Sequence, residues 1–140
     1  MHPIKPCDAT VLIVEDNPDN MFILKNLLTM RSKVKQCDGR ASGAQLFGLL
    51  AAHPRLRPDL ILLDIQIPDE DGYSVLKQIR ERPLLRDTRV VAVTANIMDS
   101  DVERARLAGF DGFIGKPIKP REFPDQIQRI LAGEPVWEPQ

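Results

Sequence analysis

Three carboxylates, one hydroxyl and one ammonium stand at the ends of short apolar runs in this sequence. Glu15 and Asp16 follow the run at 10–14, Asp64 follows 60–63, Thr94 closes 89–93, and Lys116 follows 110–115. Carboxylates brought together repel, and a proton or a cation relieves the repulsion. Their hard oxygens favour Mg²⁺, which keeps part of its water and takes one or two carboxylates together with phosphate oxygens. A lysine beside such a group is a point-charge partner for phosphate, and a threonine hydroxyl can donate to a phosphoryl oxygen. The combination suits a carboxylate that accepts a phosphoryl group with metal help.

That chemistry requires the five residues to share one edge, so the elements between them decide whether it is available. The runs from Thr10 to Val14 and from Leu60 to Leu63 are short and almost continuous, as in strands buried on both faces. After the first run, Asn17 suits a helix cap and Pro18 a first helical position. Met21, Leu24, Leu27 and Leu28 then recur at helical spacing to about residue 30. Residues 32–36 read as a weaker, more exposed second strand and 41–52 as a second helix. Pro68 and Gly72 flank an acidic turn at 69–71, read as solvated, and a third helix follows with Val75, Leu76 and Ile79 inward. Residues 89–93 make a fourth strand, 98–108 a fourth helix stopped by Gly109, 110–115 a short fifth strand and 120–131 a fifth helix. Five strands alternating with five helices imply an α/β fold, a doubly wound parallel sheet with helices on both faces. Such sheets bind ligands outside the carboxyl ends of their strands, which is where the five groups converge. The chain divides into an N-terminal extension at 1–8, one domain at 9–132 and an irregular C-terminal tail at 133–140.

Five motifs occur in order, each at its own element end: Val11-Leu-Ile-Val-Glu-Asp-Asn17, Pro58-Asp-Leu-Ile-Leu-Leu-Asp-Ile-Gln-Ile-Pro68, Asp71-Gly72, Val93-Thr-Ala95 and Lys116-Pro117. Together they resemble the receiver domain of two-component response regulators, over about residues 9 to 132. The likeness is greatest to single-domain receivers and to those of hybrid histidine kinases. The resemblance implies a flavodoxin-like five-stranded (βα)5 sheet of order 2-1-3-4-5 and a cis Lys116–Pro117 bond. Position by position, it implies Asp64 as phosphoacceptor, Asp16 as a direct Mg²⁺ ligand and Glu15 as its water-mediated partner. It implies the backbone carbonyl of Gln66 as a further ligand, and Thr94 and Lys116 as binders of the phosphoryl oxygens. Phe113 resembles the switch aromatic; having no hydroxyl, it would act by packing alone. Gln66 and Asn96 occupy positions that in relatives tune the lifetime of the acyl phosphate.

The same resemblance implies a histidine kinase or histidine phosphotransfer protein as donor. It implies an output surface of helix four, strand five and helix five for a downstream protein target, with a homodimer through that face as one form of output. Two other readings stay open: a shuttle in a multistep phosphorelay, and a receiver-like binding module that is not phosphorylated. An aspartyl-phosphate phosphatase of the dehalogenase type would want a second aspartate two residues after its nucleophile, and Gln66 stands there. The expectation is therefore no enzyme, beyond catalysis of its own phosphorylation and dephosphorylation.

Composition narrows the classes further. The chain has 140 residues, with 43% hydrophobic and 28% charged, the balance of a soluble globular domain. A net charge of −1 argues against general electrostatic binding to nucleic acid or anionic lipid. No apolar run approaches the roughly 20 residues that span a bilayer, and the start carries no signal-peptide core, so a cytoplasmic location is expected. Cys7 and Cys37 make neither a disulfide framework nor a zinc site. His2 and His53 lie in no recognisable phosphohistidine motif, which makes the chain an acceptor rather than a donor. Trp137 in the tail is expected to pack on its own domain or on a partner.

Overall fold

The computed structural model describes residues 2–95 and 98–138. Strands and helices alternate as β1 (Thr10–Val14), α1 (Pro18–Asn26), β2 (Gln36–Arg40), α2 (Gly43–Ala52), β3 (Leu60–Leu63), α3 (Gly72–Arg80), β4 (Arg89–Thr94), α4 (Asp99–Ala108), β5 (Gly112–Gly115), α5 (Phe123–Leu131) and β6 (Val136–Glu138). The sheet is wholly parallel in the order β2-β1-β3-β4-β5-β6. Its first five strands follow the 2-1-3-4-5 order of a flavodoxin-like fold.

Alternation along each central strand divides the core into two layers. Leu12, Val14, Ile61, Leu63, Val90 and Ala92 point to one side and pack with Leu46 of α2, Val75, Leu76 and Ile79 of α3, and Val102 and Ala105 of α4. Val11, Ile13, Leu60, Leu62, Val91 and Val93 point to the other and pack with Leu24 of α1 and Phe123, Ile127 and Ile130 of α5. Helices on both faces explain why these strands read as unbroken apolar runs. Asn17 caps α1, its side-chain oxygen accepting from the Asn20 amide at 3.0 Å.

Two expectations are corrected. The second strand is not at 32–36 but at Gln36–Arg40. After α1 the helix continues as a π-turn over Leu27–Arg31, and Lys33 adopts a left-handed φ of 55°, so the chain is still turning there. Among the described residues, β2 is an edge strand paired only with β1. Half-covered, it tolerates a polar sequence and carries no apolar signal. The segment after α5 is not irregular throughout, because Val136–Glu138 adds a sixth strand to the open edge of β5. Val136 is buried in the α1/α5 layer, and Trp137 packs half-buried on the opposite layer of its own domain. Three residues after a proline are too few to show periodicity.

Candidate functional site

The carboxyl ends of β1, β3, β4 and β5 carry Glu15 and Asp16, Asp64, Thr94 and Lys116. Backbone bonds beyond the strand limits hold these residues in register. The Glu15 amide donates to the Arg40 carbonyl, the Asp64 amide to the Val14 carbonyl (both 3.0 Å) and the Lys116 amide to the Thr94 carbonyl (2.9 Å). One sheet edge therefore fixes all of them, with no flexible loop between strand and functional group.

Glu15 is 2% exposed, Asp64 5% and Thr94 0%, whereas Asp16 is exposed at the mouth of the cleft. Carboxylate oxygens of Glu15, Asp16 and Asp64 lie within 4.8 Å of one another. Lys116 bridges the two buried acids, its Nζ 2.6 Å from Glu15 Oε1 and 2.9 Å from Asp64 Oδ2. The remaining oxygens are held by the backbone: the Gln66 amide donates to Asp64 Oδ1 at 2.8 Å and the Asn17 amide to Glu15 Oε2 at 3.1 Å.

Burial pushes the Glu15 carboxyl above its ordinary value, against the opposing pull of its hydrogen bond from Lys116. Burial also works to lower the Lys116 ammonium, but its hydrogen bonds to Glu15 and Asp64 outweigh that, and it is held above its ordinary value. The site thus keeps a charged ammonium facing two crowded carboxylates. Three hard-oxygen donors within reach of one another fit a divalent cation of the Mg²⁺ type. Asp16 supplies the open side through which water and a phosphate would reach it.

The other sequence-derived candidates fall in several places. Phe113 lies in β5, fully buried in the layer under α4 and opposite Trp137 in the ladder. Gln66 is exposed beside Asp64, in a two-residue antiparallel ladder that pairs Gln66–Ile67 with Glu70–Asp71. The Lys116–Pro117 bond is cis. Asn96 lies outside the described residues.

Sequence reasoning missed the role of the acidic turn. Glu70 turns its carboxylate to the start of α2, accepting from the amides of Gly43 at 2.7 Å and Ala44 at 3.1 Å, while Asp71 caps α3 through the Tyr73 amide. Gly72 completes that turn. A Cβ on it would collide with the Ile65 backbone, so a bare Cα lets the loop after Asp64 close on α3. A cap reaching across 27 residues leaves no local signal.

The profile of the response regulator receiver domain matches residues 11–128. The chain belongs to that family. It is 37% identical over 129 residues to the polar-differentiation response regulator DivK of Brucella anthropi, a match covering 88% of this chain and 96% of that protein. Among solved structures, it superposes on the receiver domain of a Pseudomonas aeruginosa sensor histidine kinase, crystallised with a magnesium ion in its active-site cleft. The TM-score is 0.73 at 30% identity, covering 91% of this chain and 99% of that one. A second neighbour is the signal receiver domain of a histidine kinase from Syntrophus aciditrophicus, with TM-score 0.73, 32% identity, and 89% and 91% covered. This receiver is a phosphoryl-accepting response regulator of two-component signalling. Among the described residues, no helix is long and apolar enough to cross a membrane.

Proposed function

We propose that Asp64 is the phosphoacceptor, and that this receiver takes its phosphoryl group from phosphohistidine on a histidine kinase or a histidine phosphotransfer protein. The observation that carries the reading is the buried pair of acids, Glu15 and Asp64, bridged by Lys116 at 2.6 and 2.9 Å. A carboxylate oxygen of Asp64 attacks phosphorus in line. The new oxygen–phosphorus bond forms as the phosphorus–nitrogen bond of the phosphohistidine breaks, and the electron pair leaves with the imidazole. The Gln66 amide fixes the rotation of the Asp64 carboxylate. Lys116, already charged, offsets negative charge on the transferred group, and the Thr94 hydroxyl donates to one of its oxygens.

Glu15, Asp16, Asp64 and the Gln66 carbonyl are the groups that would hold Mg²⁺; when bound, the ion neutralises charge between the acids and the incoming phosphoryl oxygens. The magnesium ion in the active-site cleft of the Pseudomonas neighbour supports a divalent cation at the corresponding cleft of this chain. Gln66 and Asn96 stand at the positions that tune the lifetime of the acyl phosphate, and its hydrolysis is the chain's own dephosphorylation. The added dianion biases Thr94 and the packing of Phe113. That changes the α4–β5–α5 face for a downstream protein in the cytoplasm, or for a second copy of the chain.

Intact mass after incubation with acetyl phosphate and Mg²⁺ tests the reading. The expected result is a gain of one phosphoryl group that requires Mg²⁺ and is absent in Asp64→Asn. A folded chain that neither gains the group nor retains beryllium fluoride overturns it and leaves a binding module that is not phosphorylated.

A further inference from the structure

The loop between β3 and α3 carries Gln66, and it is too small to hold its own shape. Its internal pairing is the two-residue ladder of Gln66–Ile67 with Glu70–Asp71, closed by a turn in which Asp69 takes a left-handed φ of 62°. Two paired strands alone are marginal in water, and a non-glycine residue at positive φ persists only where its surroundings hold it. Anchors outside the ladder do so here. Ile67 is buried in the layer that contains Leu46 of α2 and Val75 of α3. Asp71 accepts from the Tyr73 amide at the start of α3, at 3.0 Å. Glu70 crosses to α2, where its two oxygens take the first two amides, Gly43 at 2.7 Å and Ala44 at 3.1 Å. That carboxylate also meets the positive end of the helix dipole. The approach is close: a Cβ on Gly43 would sit 2.7 Å from Val75 Cγ2 and 3.1 Å from Glu70 Oε2.

We propose that Glu70 is a positioning residue for phosphoryl transfer: by tying the loop to α2, it places the Gln66 amide that orients the Asp64 carboxylate for attack. The chain of contacts is short. Glu70 pairs with Ile67 in the ladder, and Gln66 is the next residue. The Gln66 amide donates to Asp64 Oδ1 at 2.8 Å, while Lys116 holds Oδ2 at 2.9 Å. One oxygen of Asp64 is thus fixed from the end of β5 and the other from the loop. The same loop carries the Gln66 carbonyl assigned above to Mg²⁺. The proposal rests on Asp64 as phosphoacceptor and adds what keeps its carboxylate aimed. Helix capping alone would stabilise α2 and leave the reaction untouched, and Ser42 separates the two roles. Its hydroxyl caps the same helix start within α2 itself, accepting from the Gln45 amide at 3.1 Å.

The test compares Glu70→Ala and Ser42→Ala with the unsubstituted full chain. The phosphorylation rate is read by intact mass with acetyl phosphate at saturating Mg²⁺. The Mg²⁺ dissociation constant is read from amide chemical shifts of the unphosphorylated chain, and stability from the urea midpoint. Removing a residue that orients a ligand or reacting group typically costs about 10- to 100-fold. Glu70→Ala should therefore react, and bind Mg²⁺, at least about tenfold less well. Ser42→Ala should lower the urea midpoint comparably and keep both values within about twofold. Glu70→Gln retains one acceptor oxygen and should fall between Glu70→Ala and the unsubstituted chain; it replaces Glu70→Ala if that variant does not fold. A Glu70 variant that matches the unsubstituted chain in rate and Mg²⁺ affinity, or an equal loss in Ser42→Ala, overturns the positioning role and leaves the phosphoacceptor intact. An unsubstituted chain that takes no phosphoryl group overturns the phosphoacceptor, and this role with it.

Discussion

Replacing Lys116 with methionine removes one charge from the point where two buried acids meet, and its effect follows from the geometry. Lys116→Met keeps the length of the side chain and deletes charge-assisted contacts of 2.6 and 2.9 Å to Glu15 and Asp64. Such bonds contribute about 1.5–3 kcal/mol each. Lys116 is 14% exposed at the cleft mouth, so the lower figure applies, and the two together give about 3 kcal/mol. Removing one partner of a buried pair leaves the other uncompensated, which supports that magnitude rather than a surface-pair value near zero. A domain of this size loses roughly 2–5 °C of Tm per kcal/mol, so the variant should melt about 6–15 °C lower, read by far-UV circular dichroism in Mg²⁺-free buffer. Glu15→Gln should be stabilising in the Lys116→Met background and destabilising in the unsubstituted chain, because the neutral amide relieves repulsion only where the ammonium is missing. A Tm within 2 °C of the unsubstituted chain, or the same effect of Glu15→Gln in both backgrounds, would refute the idea that Lys116 holds the acids together.

Glu70→Ala leaves two amides at the start of α2 without their partner and should lower stability by about 1 kcal/mol, measured by urea unfolding; an unchanged midpoint would show that water replaces the cap at no cost. Burial pushes the Cys37 thiol up to about 11, while Cys7 is exposed. A disulfide reagent at pH 7.5 should therefore label Cys7 first, with Cys37 at least tenfold slower; comparable rates would contradict the packing of β2 against α1. Arg129 holds the Glu138 carboxyl below its ordinary value, against a smaller opposing effect of burial. A carboxyl depressed in the folded state contributes stability above its unfolded value of about 4.3, and that contribution is lost as pH falls through the lower folded value. Trp137 emission should accordingly shift to the red below about pH 4, ahead of the far-UV signal, and Arg129→Gln should weaken that pH dependence.

What could be read in advance follows from which strands are covered on both sides. β1 and β3 sit between neighbours and between helix layers, so Thr10–Val14 is apolar but for Thr10 and Leu60–Leu63 is apolar throughout, and the first acid after each marks the strand end. The candidate site was legible for that reason: Glu15, Asp16 and Asp64 stand where the apolar runs of β1 and β3 stop. β2 was misplaced because an edge strand half in water accepts Gln36, Asp38 and Arg40. β6 was missed because its partner surface lies on β5, α4 and α5, and nothing in three residues announces it. Arg89 shows the same limit from the other side. It is 2% exposed, with a guanidinium bond to the His2 carbonyl, so residues 2–8 cover the sheet's far end rather than trailing from it, and the Ile4 amide bonds the Leu131 carbonyl at 2.7 Å.

The path from site to surface runs along a single strand. Lys116 directly follows Gly115, the last residue of β5, and its amide is fixed to Thr94 at the end of β4. Phe113, three residues earlier, is buried under α4, and across the ladder it faces Trp137. β5 is therefore paired on one side with the strand that ends at Thr94 and on the other with a strand of three residues. Central strands with two neighbours open only near the global unfolding free energy, whereas a short outermost strand opens at a small fraction of it. A shift of Lys116 toward a phosphoryl group has β4 as a stiff boundary and β6 as a soft one. Its effect should accumulate at Val136–Glu138, the outer edge of the sheet beside β5.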